Sequence, residues 1–167
     1  MRLHKVVFIL LAGLSSAVLG GCEKNAPAAG FGLGAGAGNF APGSKQEFSQ
    51  RIGDTVRFET DSPELTPEGR SILTGQAQWL QQYSSYPIMI EGHADERGTR
   101  EYNIALGARR AETTKSFLIA QGVNPQRIRT LSYGKERPVA VCDNISCWSQ
   151  NRRTVTVLNG GNAVASY

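Results

Sequence analysis

The sequence predicts an α/β (α+β) sandwich in which one mixed sheet of about four strands carries two main helices on it. Three observations lead there. Short β-branched runs alternate with two long stretches of helical periodicity, Pro and Gly punctuate the junctions, and a helix between two strands implies at least one parallel pair. With 167 residues, 40% hydrophobic and 19% charged, the chain has room for one ordinary domain and an appendage.

Thr55 to Phe58, reading TVRF, is the first strand candidate. Thr66 ahead of Pro67 sets a capping hydroxyl before a proline at the first helical position, so a helix begins there. Its apolar residues Ile72, Trp79, Leu80 and Tyr83 recur at helical spacing, and Ser84-Ser85-Tyr86-Pro87 ends it. Ile88-Met89-Ile90 reads as a buried strand. A second helix spans about Glu101 to Gln121, closed by Gly122 as a left-handed cap, with Asn124-Pro125 turning the chain onward. Ile128 to Tyr133 and Thr154 to Leu158 supply the remaining strands. The folded domain is expected over 51–160, with a short tail at 161–167.

The N-terminus reads as an address. Arg2 and Lys5 precede an apolar run from Val6 to Leu14, the shape of a signal peptide over 1–21. A membrane-spanning helix needs roughly 20 apolar residues, and Gly20 and Gly21 interrupt this run too early. Leu19-Gly20-Gly21-Cys22 resembles a lipobox, which implies cleavage before Cys22 and an N-acyl, S-diacylglycerol lipid on that residue as the chain's one added group. Acyl chains contribute about 0.8 kcal/mol per buried methylene, so two or three of them release very slowly. Glu23, rather than Asp, follows the cysteine, which by the same resemblance implies sorting to the outer membrane.

From Cys22 to about Gln50 the chain is rich in Gly and Ala, with Gly30, Gly32, Gly34, Gly36 and Gly38 spaced two apart. Such a segment buries too little apolar surface to offset its ordering entropy. As a coil it reaches about 30 Å on average and about 90 Å when taut. A Gly-rich phosphate loop is excluded because no GKS or GKT follows. Without Arg2 and Lys5, 16 basic residues face 14 acidic ones, too slight an excess for a nucleic-acid partner.

Polar residues crowd one junction, Gly92-His93-Ala94-Asp95-Glu96-Arg97-Gly98, where a strand ends and a helix begins. Helix N–H groups there can hold an anion. Along the helix, Asn103, Leu106 and Arg110 share a stripe, so Arg110 is expected to be buried more than Arg109. A buried guanidinium needs a partner, and Asp95 is one candidate.

Gly92-His93-Ala94-Asp95, Gly98, Asn103, Leu106, Arg110-Ala111 and Asn151-Arg152-Arg153 resemble the signature of the outer-membrane protein A-like family, over roughly Thr55 to Leu158. Together with the lipobox, the GHADERGT run at 92–99 resembles that family's lipoprotein branch, the peptidoglycan-associated lipoproteins of the Tol system. The resemblance implies a non-catalytic domain that binds the diaminopimelate of uncrosslinked peptidoglycan stems, Asp95 meeting its ammonium and Arg110 its carboxylate. Asp61, Asn103, Leu106 and Arg153 fall on matching positions as further contacts or braces. It also implies a partner, the Tol system's periplasmic propeller protein, and a part in envelope constriction at cell division.

The chemistry suits that ligand, because an amino-acid end needs an acceptor for its ammonium and a forked donor for its carboxylate. Two other classes compete. A wall-degrading enzyme could use Glu91, Asp95 or Glu96, but no Ser-His or Cys-His arrangement appears and zinc ligands are lacking: His93 has only His4 for company. A motor stator needs a membrane helix with a functional acid. Cys142 and Cys147 sit in a polar loop and are expected to form a local disulfide in an oxidising periplasm, outside the general family pattern.

Overall fold

The computed structural model describes residues 40–159. The signal segment, Cys22, most of the expected tether and the tail at 161–167 lie outside the described residues. Helix α1 (Lys45–Glu47), capped by Ser44, runs directly into a π-helical turn at Phe48–Gly53. There follow β1 (Thr55–Arg57), α2 (Pro67–Gln82), β2 (Ile88–His93), α3 (Arg100–Ala120), a 3-10 turn at Pro125–Arg127, β3 (Ile128–Gly134), α4 (Ile145–Asn151) and β4 (Arg153–Leu158).

The strands form one sheet in the order β1-β4-β2-β3. Strand β4 enters between β1 and β2 and is antiparallel to both, while β2 and β3 are parallel. The expected parallel pair is thus the one bridged by α3. Period-two alternation turns Ile88 and Ile90, 1% and 0% exposed, toward a core that includes Leu73 and Leu80 of α2 and Leu118 of α3. Burying each such side chain contributes roughly 1.5–3 kcal/mol.

Local chemistry sets the helix ends as expected. Thr66 Oγ1 accepts from Gly69 N at 3.0 Å, and Thr99 Oγ1 accepts from Tyr102 N at 3.2 Å. Gly122 adopts φ +96° beyond the end of α3. Two glycines let α3 lie close on β2: a Cβ at Gly92 would sit 1.9 Å from the carbonyl oxygen of Gly107. Buried polar groups are paired across elements. Gln76 Nε2 donates to Gly53 O and Gln76 Oε1 accepts from Thr156 Oγ1, tying α2 to the π turn and to β4.

Two elements depart from the expectation. Packing begins before Arg51, because Phe48 is 1% exposed and packs at a tilt against Trp79 with ring centroids 4.9 Å apart. Beside it, Glu47 accepts from the Trp79 indole at 3.0 Å, a bond that holds its carboxyl below the usual range. Phe48, Glu47 and the Tyr86 hydroxyl, which donates to Gly43 O at 2.8 Å, together hold that turn on the core. The second departure is α4, which stands between β3 and β4 where a loop was expected. Asn144 caps it, and seven residues are too few for a periodicity to emerge. Among the described residues, no helix is long and apolar enough to cross a membrane.

Candidate ligand-binding site

The end of β2, the start of α3 and the loop after β1 meet around a pocket of about 240 Å³. Strand β2 delivers Asp95 just past its end, helix α3 contributes Asn103, Leu106 and Arg110 from one stripe, and the loop contributes Asp61. Asp61 holds φ +56° there and accepts from the Tyr102 hydroxyl across the mouth. That bond, followed by burial, raises the Tyr102 pKa.

Arg110 is the floor. It is 0% exposed, and three of its five N–H groups donate to backbone carbonyls: Nε to Ser62 O at 2.9 Å, Nη1 to His93 O at 2.9 Å and Nη2 to Glu59 O at 3.0 Å. Burial first, and the nearby Arg152 second, depress its pKa to about 10 against the pull of Asp95 and Asp61. The guanidinium therefore stays charged at neutral pH, at the bottom of a recess, with donors to give.

Asp95 forms the opposite wall. The expected Asp95 partner for Arg110 is replaced by the three carbonyls, and Asp95 instead binds Arg97 and Arg152. Arg97 Nε donates to Oδ1 at 3.2 Å and Arg97 Nη2 to Oδ2 at 2.7 Å, while Arg152 Nη1 reaches Oδ2 at 3.3 Å. Burial pushes the carboxyl up, but the hydrogen bonds from Arg97 and Arg152 outweigh it and keep Asp95 below the ordinary range. Asp95 is thus an anion 7% exposed in the same pocket as a cation that does not neutralise it directly.

The other candidates divide. Asn103, 2% exposed, donates to Arg97 O at 2.7 Å and Thr99 O at 3.0 Å, bracing the loop that carries Arg97. Leu106 lines the pocket as its apolar patch. Arg153 does not join them: its guanidinium donates to Asn151 O and Arg137 O, away from the pocket lining. Its neighbour Arg152, rather than Arg153, is the one that reaches Asp95. The period-two parity of β4 carries the signal, since Arg152 keeps step with Thr154, Thr156 and Leu158, which face the core.

His93 is 1% exposed and stacks on Tyr133, and among the described residues neither ring nitrogen has a hydrogen-bond partner. Burial above all, then Arg153 and Arg137, press its pKa to about 4, so it is neutral. Among the described residues, no cluster of three or more metal-binding side chains occurs. Cys142 and Cys147 are bonded, with Cα atoms 5.6 Å apart. The bridge joins the loop to the first turn of α4, whose Trp148 lies 4.3 Å below the Arg97 guanidinium.

Comparison with known proteins gives a consistent result. The model of the OmpA family matches residues 57–152. A peptidoglycan-associated lipoprotein of Rhizobium meliloti is 56% identical over 154 residues, 91% of this chain and 88% of that protein. One from Agrobacterium fabrum is 59% identical, over 85% of this chain and 82% of its own length. Among solved structures, the peptidoglycan-associated lipoprotein from Burkholderia pseudomallei is similar at 35% identity and a TM-score of 0.65, over 68% of this chain and 98% of that one. The C-terminal domain of Helicobacter pylori MotB is similar at 25% identity and a TM-score of 0.60, over 64% and 84%.

Proposed function

The chain belongs to the OmpA family and groups with its peptidoglycan-associated lipoproteins, and from that membership we propose that it tethers the outer membrane to the cell wall without covalent attachment. The lipid is carried on Cys22 and the wall is gripped by the domain at 40–159. It is a binder and not an enzyme.

The observation that carries this reading is the pocket in which a carboxylate and a guanidinium stand on separate supports. Asp95 receives the free ammonium of a diaminopimelate stem residue, and Arg110 receives its carboxylate with the N–H groups its carbonyl partners leave over. Both bonds are charge-assisted, worth roughly 1.5–3 kcal/mol each. Asp61 and Asn103 shape the mouth and the loop, and Leu106 packs on the aliphatic chain between the two charged ends. Arg153 has a structural role in this reading.

The lipid holds the protein in the outer membrane with its domain in the periplasm. The Tol system's propeller protein competes with the wall for the domain, which links wall attachment to constriction at division.

Sedimentation with purified sacculi tests the core of the proposal. The wild-type chain co-sediments and releases no soluble fragments, and Asp95→Ala, checked for folding by circular dichroism, binds about tenfold more weakly. Retention equal to wild type would remove Asp95 from the site.

A further inference from the structure

Asp95 has no acceptor position to spare. An ionised carboxylate offers about four lone-pair sites, and four protein donors take them. Arg97 contributes its backbone N and its Nε to Oδ1, both at 3.2 Å, and its Nη2 to Oδ2 at 2.7 Å; Arg152 Nη1 completes Oδ2 at 3.3 Å. An ammonium can reach this carboxylate only when one donor withdraws.

The three groups that supply these four donors differ sharply in their freedom to withdraw. The Arg97 N–H belongs to a backbone turn braced by Asn103. Arg152 has a side chain 6% exposed and tied by Nε to Phe58 O at 3.1 Å. The Arg97 side chain, 42% exposed, is the one with open space to withdraw into, and it supplies two of the four bonds. It also has a second attraction within reach: the face of Trp148, whose indole N–H is fixed by Glu96 Oε1 at 2.8 Å.

We infer that Arg97 is a gate built into the ligand site, an internal guanidinium that occupies Asp95 until a ligand ammonium displaces it, the released side chain staying with Trp148. The inference rests on the wall-binding reading above. It makes recognition an exchange of one cation for another, so a ligand enters by virtue of a free amine. When cross-linking acylates that amine, the stem loses the charge that opens the gate. Discrimination between free and cross-linked stems then follows from the exchange itself.

The test uses the full-length lipoprotein in detergent, titrated with a stem tripeptide carrying a free diaminopimelate side-chain amine, beside Arg97→Gln and Asp95→Ala. Two readouts are taken: affinity, and the emission of Trp148, since Trp79 is buried in the core and outside the pocket lining. R97Q binds about threefold tighter, the weight of an exposed ion pair, and the emission change seen on binding to wild type disappears in it. Affinity unchanged or weakened in R97Q overturns the gate, and weakening to the level of Asp95→Ala makes Arg97 a direct contact. If the wild type binds neither the tripeptide nor sacculi, the wall-binding reading falls and the gate with it; if Asp95→Ala binds as well as wild type, Asp95 leaves the site and the gate falls alone, as it does when Asp95→Ala loses affinity and R97Q gains none.

Discussion

The floor and the rim of the pocket hold their arginines in opposite ways. Arg110, on the floor, is fully buried and answers to three backbone carbonyls from two separate segments of chain. Arg97, on the rim, is 42% exposed and answers to one carboxylate and one indole. Carbonyls of folded backbone cannot move away from a guanidinium, whereas a solvated side chain can leave its partner at little cost. One pocket thereby combines a fixed cation, held by the fold, with a movable one, held by its neighbours.

The sharpest way to break that contrast is to remove the fixed member. Arg110→Ala leaves carbonyls of Glu59, Ser62 and His93 without their donor, and is expected to cost about 3 kcal/mol or more of stability, besides abolishing wall binding. Urea denaturation reads the first effect and sedimentation the second. Loss of binding with stability intact would mean that the carbonyls find other donors and that the floor is less rigid than the contrast requires.

A milder perturbation acts on the floor from beneath, through His93, whose carbonyl oxygen holds Arg110 Nη1. Its folded pKa of about 4 lies below the ordinary imidazole value of 6.5. The unfolded chain therefore takes up this proton first, so the stabilisation is complete above pH 6.5 and drains away as pH falls toward 4. Between pH 7 and pH 5 this amounts to about 2 kcal/mol. Denaturation midpoints of wild type and His93→Gln at the two values measure it, and equal pH slopes would count against a neutral buried imidazole. Asp95 works in the same direction lower down: its depressed carboxyl stabilises the fold above the ordinary carboxylate range and ceases to as the pH drops through its own value.

The smallest effect belongs to the rim. Replacing Cys142 and Cys147 together by Ser opens a loop too short to restrict the unfolded chain much, so the stability loss is about 2 kcal/mol at most. Sacculus binding of the doubly substituted protein changes less than that of Asp95→Ala. A larger loss of binding would place α4, rather than Asn103, as the main brace of the Arg97 loop.

Much of this was legible from the sequence because the long elements carry redundant signals. Thr66-Pro67 and Gly122 mark helix ends through local chemistry alone, and the stripe of Asn103, Leu106 and Arg110 discloses burial by period. The unread parts depend on where a side chain turns after the backbone ends its regular course. Arg152 sits at a helix C-cap with ψ 85°, so the motif does not separate it from Arg153 and only the parity of the strand that follows does. The partners of Arg110 escape the sequence for a related reason: a buried guanidinium calls for a carboxylate on charge alone, and backbone carbonyls leave no trace in composition. Helix α4 and the turn at Phe48 are simply too brief to declare themselves.

The seating of Phe48 and Glu47 against Trp79 has a mechanical meaning. With the lipid on Cys22 as proposed, a pull arriving along the chain from its N-terminal side would meet the domain first at this aromatic and carboxylate clasp on α2, upstream of every strand. Such tension would have to shear that clasp before it could unzip β1 from β4, and it would be met first by residues that take no part in lining the ligand pocket.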